Sequence, residues 1–458
     1  MSEPLRDRFQ ALRAREFARL DRSGHVYLDY TGSGLYAASQ LRDQDEFLAR
    51  SVLGNPHSES PASAAATEVV EGTRRHVLRF FNADPAEYEV VFTANASAAL
   101  KLVGESYPFG AGSRFVLLQD NHNSVHGVRE YAAGAGADVV YLPLDGELRA
   151  DLGTTLPPPG SGPSLFAFPA QSNFSGVKHP LSLAKRARDA GYDVVLDAAA
   201  YVPTNPLDLS EVGADFTCVS FYKMFGYPTG VGALIARRSA LARLRRPWFA
   251  GGTVEFVSVQ RPAHQLRVGA EAFEDGTLNF LGIAALPAGL SFLEGVGMDA
   301  VRARVAELTG RLLEVLAEAR HDTGVPAVVI YGPLSGDARG GTVAFNVLDG
   351  DGRVVPYGVV ERAASARNIS LRGGCFCNPG AAEVAFAMPP DEAQDCFRSM
   401  PRGTFTLDRF AACLGSEVAV GAMRASLGIA SNEEDLERLR TFLASLVAEL
   451  GRAPSASR

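Results

Sequence analysis

Two cysteines one residue apart, Cys375 and Cys377, lie in the glycine-rich, proline-ended stretch RGGCFCNPG (372–380). Two cysteines alone do not complete a four-ligand zinc site, and no histidine flanks them at ligand spacing. A bridge between residues this close would be badly strained. What the spacing leaves open is a thiolate for chemistry or an inert structural thiol. A second candidate is Lys223, in FYKMFGYPTG, one of only four lysines beside Lys101, Lys178 and Lys185. Lysines are usually solvated, but one set among Phe221, Tyr222, Met224 and Phe225 has its ammonium destabilised, and the freed amine forms imines. Asp197 ends the run DVVLD, where a carboxylate is ordinarily a cap or loop anchor. Ser97, in ANASAALKL, opens a helix with small residues, offering backbone N–H groups and a hydroxyl to a phosphate. Taken alone, an N-cap explains it.

The elements that must position these groups are legible around them. From about residue 88, the runs EVVFT, RFVLLQ, DVVYLPL, SLFAF, DVVLD, FTCVS and GVGALIA alternate with helical stretches. They read as strands buried on both faces of a mostly parallel sheet. LPPPGSGPS (156–164) is a surface connection within that domain. Beyond about residue 280, Val301, Val305, Leu308, Leu312 and Leu316 mark a long amphipathic helix. TVAFNV and AVGAMRASLGI follow as strands. The last helix opens with Ser431 and Glu434 at capping-box spacing and buries Leu439, Phe442, Leu446 and Leu450. Leu5, Phe9, Leu12 and Leu20 give an N-terminal helix its buried stripe. The expected architecture is α/β: an N-terminal segment (1–45) packing with the small domain, a large domain (46–282), and a smaller α+β domain (283–458).

Ligands of open α/β sheets bind beyond the carboxyl ends of the strands. A phosphate cradle, a carboxylate and a lysine on successive strand ends make the layout of a pyridoxal phosphate site. There the lysine forms the imine and the carboxylate keeps the pyridine nitrogen protonated.

At this point the chain resembles a known family, the class V aminotransferases of pyridoxal phosphate fold type I, and within it the cysteine desulfurases. The resemblance runs from VYLDYTG (26–32) to RASLGIASNEEDLERL (424–439), through GNPHS (54–58), VSFYKMFGYPTGVG and FEDGTLN (273–279). RGGCFCNPG is most similar to the desulfurase domain of molybdenum-cofactor sulfurases. The resemblance implies pyridoxal 5′-phosphate carried by Lys223, with Asp197 on the pyridinium and His122 stacked on the ring. It implies Asn173 on the ring's phenolic oxygen, and Ala96, Ser97 and Ser220 on the phosphate. Tyr222 replaces the histidine many desulfurases carry before the lysine; a phenol donates to the phosphate but is no near-neutral acid or base. Ala200 stands where they often have glutamine. Thr277 would reach the phosphate of the neighbouring protomer in a homodimer with shared sites. Arg424 would clamp the substrate carboxylate, assisted by Arg372. Cys377 falls at the position of the desulfurase nucleophile, with Arg372 as the charge that lowers its pKa. Cys375 reads as structural.

Full-length sulfurases of that kind carry a further C-terminal domain, for which this chain leaves no room, so a separate sulfur acceptor, protein or small molecule, is expected. The alternatives are an aminotransferase, a C–S lyase or another amino-acid-modifying enzyme on the same scaffold, or a non-catalytic relative. Net charge is −8 with no basic tract, which argues against nucleic acid. No apolar run approaches the roughly 20 residues that span a bilayer. Five cysteines are too few for a disulfide framework, so a reducing, cytoplasmic location is expected. Cys218 reads as core, and Cys396 and Cys413 carry no signal. His57 and His126 are explained as well by ordinary scaffolding as by function.

Overall fold

The computed structural model describes residues 3–56, 58–150, 156–415 and 419–452; His57 lies outside them. Seven strands form the large sheet: β1 (Tyr88–Thr93), β2 (Arg114–Leu118), β3 (Asp138–Leu142), β4 (Leu165–Pro169), β5 (Asp193–Asp197), β6 (Phe216–Ser220) and β7 (Gly232–Arg237). Their spatial order is β1-β7-β6-β5-β4-β2-β3. Strands β2 to β6 are mutually parallel. Every residue of β4 and β6 is buried, which is why both read as unbroken apolar runs rather than alternating ones.

EVVFT and GVGALIA are strands, but β7 runs antiparallel to both β6 and β1. This inversion matters for the site. Gly232 of β7 pairs with Ser220 on one side and Thr93 on the other. The carboxyl ends of β1 and β6 therefore emerge on the same edge, beside those of β2, β4 and β5.

A second sheet holds β8 (Val328–Tyr331), β9 (Thr342–Val347), β10 (Arg372–Gly374) and β11 (Ala422–Ser426), all antiparallel, in the order β8-β9-β11-β10. The N-terminal segment is tied to this half of the molecule. Val26–Tyr27 pairs with Ile369–Ser370, and Asp29 bridges to Ser426. Arg13, on helix Glu3–Glu16, donates to Asp435 and to the carbonyl of Ala430. Leu20 belongs to a separate short helix, Arg19–Ser23.

Two expectations are corrected. The final helix, Glu433–Arg452, is capped one residue later than its sequence suggests. The Asn432 side chain accepts from the Asp435 N–H and the Asp435 carboxylate accepts from the Asn432 N–H, while the Ser431 hydroxyl accepts from Gly428. Asparagine and aspartate make the same reciprocal box as serine and glutamate, and the preceding turn occupies Ser431. Cys396 and Cys413 form a disulfide. They sit on short helices, Pro390–Arg398 and Leu407–Leu414, that fold back on one another and bring the two Cα atoms to 5.8 Å, an approach in space that their spacing along the chain does not reveal. Cys218, Cys375 and Cys377 are free.

Candidate active site

Lys223 sits on the single turn Phe221–Phe225 that follows β6. Phe221, Met224 and Phe225 turn into the core and hold the turn in place. Its back is closed by the loop 31–36: the Gly34 N–H donates to the Tyr222 carbonyl, and a Cβ on Gly34 would lie 2.7 Å from the Lys223 carbonyl oxygen. Gly226, at φ +75°, ends the turn where a Cβ would strike the backbone of Tyr36. Burial pushes the Lys223 ammonium below the ordinary lysine value. Arg424 and Arg372 add to that push, while Asp197 and Cys377 oppose it. Burial likewise raises the Tyr222 phenol, against the pull of Arg372.

The groups facing this lysine come from different strand ends. Asp197, at the end of β5, is buried and its carboxylate accepts from the Ala199 N–H. His122 caps the turn after β2, its Nδ1 accepting from the Ser124 N–H. That bond places the ring proton on Nε2. Burial lowers the His122 pKa, with Lys223 and Arg424 acting the same way and Asp197 opposing; the ring is neutral at pH 7. Since His122 and Lys223 each respond to Asp197 and Arg424, the four side chains share one space.

Beside them is an anion cradle. Asn95 caps helix Ala96–Ser106 by accepting from the Ala98 N–H. The Ser220 hydroxyl accepts from the Ala96 N–H at 2.8 Å, joining two strand ends. The Ser97 and Ser124 hydroxyls meet at 2.6 Å. Three serines at the positive end of a helix form a donor-rich pocket suited to a phosphate.

Arg424, on β11, is 2 % exposed. Its Nη1 donates to the Asn173 carbonyl and its Nη2 to Asp29 at 3.0 Å, while its buried Nε has no partner among the described residues. Asp29 also receives the fork of Arg372, at 2.6–3.1 Å. Arg372 and Arg424 thus meet on one carboxylate that the sequence did not flag.

Cys377 is exposed. It and Phe376 have φ of +58° and +57°, a tight left-handed turn made without glycine. The Phe376 ring packs on Phe174, and the Arg424 guanidinium lies 4.7 Å from its centroid. Cys375 points the other way. Its thiol donates to the Val420 carbonyl, burial pushes its pKa up to about 11, and the neighbouring Cys377 acts in the same direction. It lines a separate cleft of about 980 Å³ with Phe397, Phe405 and Phe410.

Thr277 is not brought to this site within one chain. It is exposed and lines a cleft of about 360 Å³ with Thr93, Ala94, Lys101 and Gly230, behind the anion cradle. His126 is buried against Tyr141, and burial lowers its pKa to about 4. Sequence reasoning missed Asp29, Asp120, His179 and Asn378. Asp29 lies within VYLDYTG, but nothing in that stretch announces two arginine partners on distant strands.

The description Aminotransferase class-V matches residues 26–439. The chain is 38 % identical to the molybdenum cofactor sulfurase of Bos taurus over 94 % of its own length and 51 % of that protein. It is 36 % identical to the molybdenum cofactor sulfurase of Arabidopsis thaliana, over 96 % of this chain and 58 % of that one. It thus spans little more than half the length of these relatives. Among solved structures, the cysteine desulfurase of Thermococcus onnurineus NA1 superposes with a TM-score of 0.76 at 26 % identity, covering 96 % of this chain and 98 % of that one. The cysteine desulfurase CsdA of Escherichia coli has a TM-score of 0.73 at 21 % identity, covering 96 % and 99 %. The fold is that of the type I pyridoxal phosphate enzymes, with a seven-stranded, mostly parallel sheet and a smaller antiparallel one. Pyridoxal 5′-phosphate is the cofactor of the matched family, and the residues present fit it. A lysine with a depressed pKa, a buried carboxylate, a neutral histidine and a serine-lined helix end converge here, and the Arg424 Nε still lacks an acceptor. From residue 26 to residue 439, this chain belongs to the class V aminotransferase family.

Proposed function

We propose that the protein is a pyridoxal-phosphate-dependent cysteine desulfurase. It takes the sulfur of L-cysteine onto Cys377 as a persulfide, releases alanine, and passes the sulfur to a separate acceptor. The observation that carries this reading is the Cys377 turn: an exposed free thiol in left-handed backbone, its carbonyl held by the Asn123 N–H beside His122 and its neighbour Phe376 lying under the Arg424 guanidinium. The likeness to cysteine desulfurases and to molybdenum cofactor sulfurases supports it.

When bound, the cofactor supplies the electron sink that lets bonds at the substrate's α and β carbons break. Lys223 would carry it and, short of full protonation, shuttle protons at Nζ. Asp197 would hold the proton on the ring nitrogen. Ala96, Ser97, Ser220 and Tyr222 would hold the phosphate, and Asn173 the ring's phenolic oxygen. His122, neutral, would cover the ring face. The unpartnered Arg424 Nε is the donor that an amino-acid carboxylate would satisfy, while Asp29 and Arg372 fix the guanidinium plane. The Cys377 thiolate then forms a bond to the substrate sulfur as the Cβ–S bond breaks. The electron pair stays with the carbon, which takes a proton and leaves as alanine.

A homodimer would bring Thr277 to the partner's phosphate. The exposed apolar residues Phe256, Val259 and Val268, on and beside the hairpin Val254–Leu266, support self-association. A cytoplasmic location fits the free thiols that the chemistry requires, while the Cys396–Cys413 disulfide counts against it.

The test is incubation with L-cysteine. Alanine should form, and mass spectrometry before any reductant should find one added sulfur on the peptide holding Cys377. Undiminished processing of an amino-acid substrate by Cys377→Ala would instead support a transaminase or lyase.

A further inference from the structure

Asp120, at the end of the turn after β2, is completely buried. Its Oδ2 accepts from His179 Nε2 at 2.8 Å, and its Oδ1 accepts from the Ser172 hydroxyl at 2.8 Å and from the Asn378 amide at 2.6 Å. Asn378, equally buried, directly follows Cys377. Its Oδ1 caps helix Pro379–Ala385 by accepting from Ala381, and its Nδ2 donates to both Asp120 and the Asn173 Oδ1, the latter at 3.0 Å. The Asn173 Nδ2 donates in turn to the Phe376 carbonyl at 2.6 Å.

The polarity of this chain of amides follows from its first member. A carboxylate only accepts, so Asn378 must turn its NH₂ towards Asp120. That NH₂ also faces Asn173, which must answer with its oxygen. The Asn173 NH₂ is then aimed at the Phe376 carbonyl, with one hydrogen left over. The carbonyl of Cys377 is captured separately by the Asn123 N–H at 2.7 Å, next to His122. Both residues of the left-handed turn thus have their carbonyls tied to cofactor-side elements. Non-glycine residues persist in such a conformation only where the surroundings over-determine it.

We infer that Asp120 and Asn378 are positioning residues for sulfur transfer: through Asn173 they hold the left-handed Phe376–Cys377 turn so that the thiol faces the Lys223 site. The inference deepens the proposed desulfurase reading and rests on it. It also makes Asn173 a joint element, whose remaining N–H is oriented by the same carboxylate that fixes the nucleophile's loop.

The test uses two variants of the cofactor-loaded protein. Asn378→Ser keeps a good helix cap but lacks both amide donors. Asp120→Asn keeps the shape of the side chain but removes the rule that orients the amides. Both should fold and take up cofactor, with KM for L-cysteine within about threefold of wild type because Arg424 keeps its own ion pair with Asp29, whereas kcat for alanine release should fall by about 10- to 100-fold, the scale of an ångström-sized misplacement. Independently of turnover, backbone hydrogen exchange across residues 375–378 should accelerate, and iodoacetamide should label Cys377 at a changed rate while Cys375 stays slow. Wild-type exchange and wild-type kcat in Asn378→Ser would overturn the inference, as would a loss confined to KM. If wild-type protein released no alanine at all, the desulfurase reading would fall. Exchange and labelling would still decide whether Asp120 holds the turn.

Discussion

Lys223 and Asp197 carry the sharpest single-residue expectations. Borohydride added to the cofactor-loaded protein should fix the cofactor to Lys223, and Lys223→Ala should leave nothing to fix. A label on Lys101 or Lys185 instead, both exposed, would move the site. Asp197→Asn should keep the fold, because its hydrogen bond to the Ala199 N–H needs only an oxygen, but it removes the charge that holds a ring proton. Turnover should fall by at least 100-fold while cofactor affinity changes far less, the signature of an electrostatic role in the transition state. Equal turnover in wild type and variant would make this carboxylate a loop anchor. The two thiols of the CFC turn differ for a reason visible in their surroundings. Cys375 is protonated, with a pKa of about 11, and faces away. Cys375→Ala should therefore retain most activity, and assays of the single variants against Cys377→Ala would show it.

At the scale of elements, the site depends on turns and helix ends more than on strand interiors. The Arg304–Glu433 contact illustrates the energetics. Arg304, on helix Met298–Glu318, is nearly inaccessible and donates two bonds to Glu433 at the start of the final helix. Hydrogen bonding to Arg304 is the main cause that lowers the Glu433 pKa from 4.5 to about 2. A carboxylate with a depressed folded-state pKa contributes stability above its unfolded value and loses it as pH falls through the folded one. Glu433→Gln should therefore flatten the part of the Tm decline between about pH 4.5 and pH 2, measured by calorimetry. An unchanged slope would mean that the contact adds nothing.

For the whole molecule, the N-terminal segment and the last helix form one structural unit across the length of the chain. Arg13 is buried between Asp435 and Asp21, and the Asp435 carboxylate is pushed above the usual range by burial even though Arg13 pulls it down. Arg13→Ala would strand that carboxylate, costing about 3–5 kcal/mol, as measured by denaturant unfolding. Assembly acts at the same scale. Thr277 lies outside the site formed by a single chain, so light scattering should report a dimer at assay concentration; a fully active monomer would rule out a shared site.

The sequence by itself determined the strand runs, because strands buried on both faces must be apolar throughout, and it marked Lys223, because a lysine in apolar company is locally unusual; Asp197 gained weight only from its place on a neighbouring strand end, and the role of Cys377 came from the family resemblance. Family resemblance added Arg424, Asn173 and His122, which local pattern does not distinguish from ordinary polar residues. Only tertiary structure decided the inverted strand β7, since strand direction depends on which neighbour supplies the hydrogen bonds. It alone gave Arg372 to Asp29, paired Cys396 with Cys413, and moved the final cap to Asn432 and Asp435. It also assembled Asp120, His179, Ser172, Asn173 and Asn378 into one network from three separate stretches of chain. Each of these polar groups is unremarkable in its own segment. Burial away from water forces it to find a partner, and the partner is chosen by the packing of segments as many as 258 residues apart.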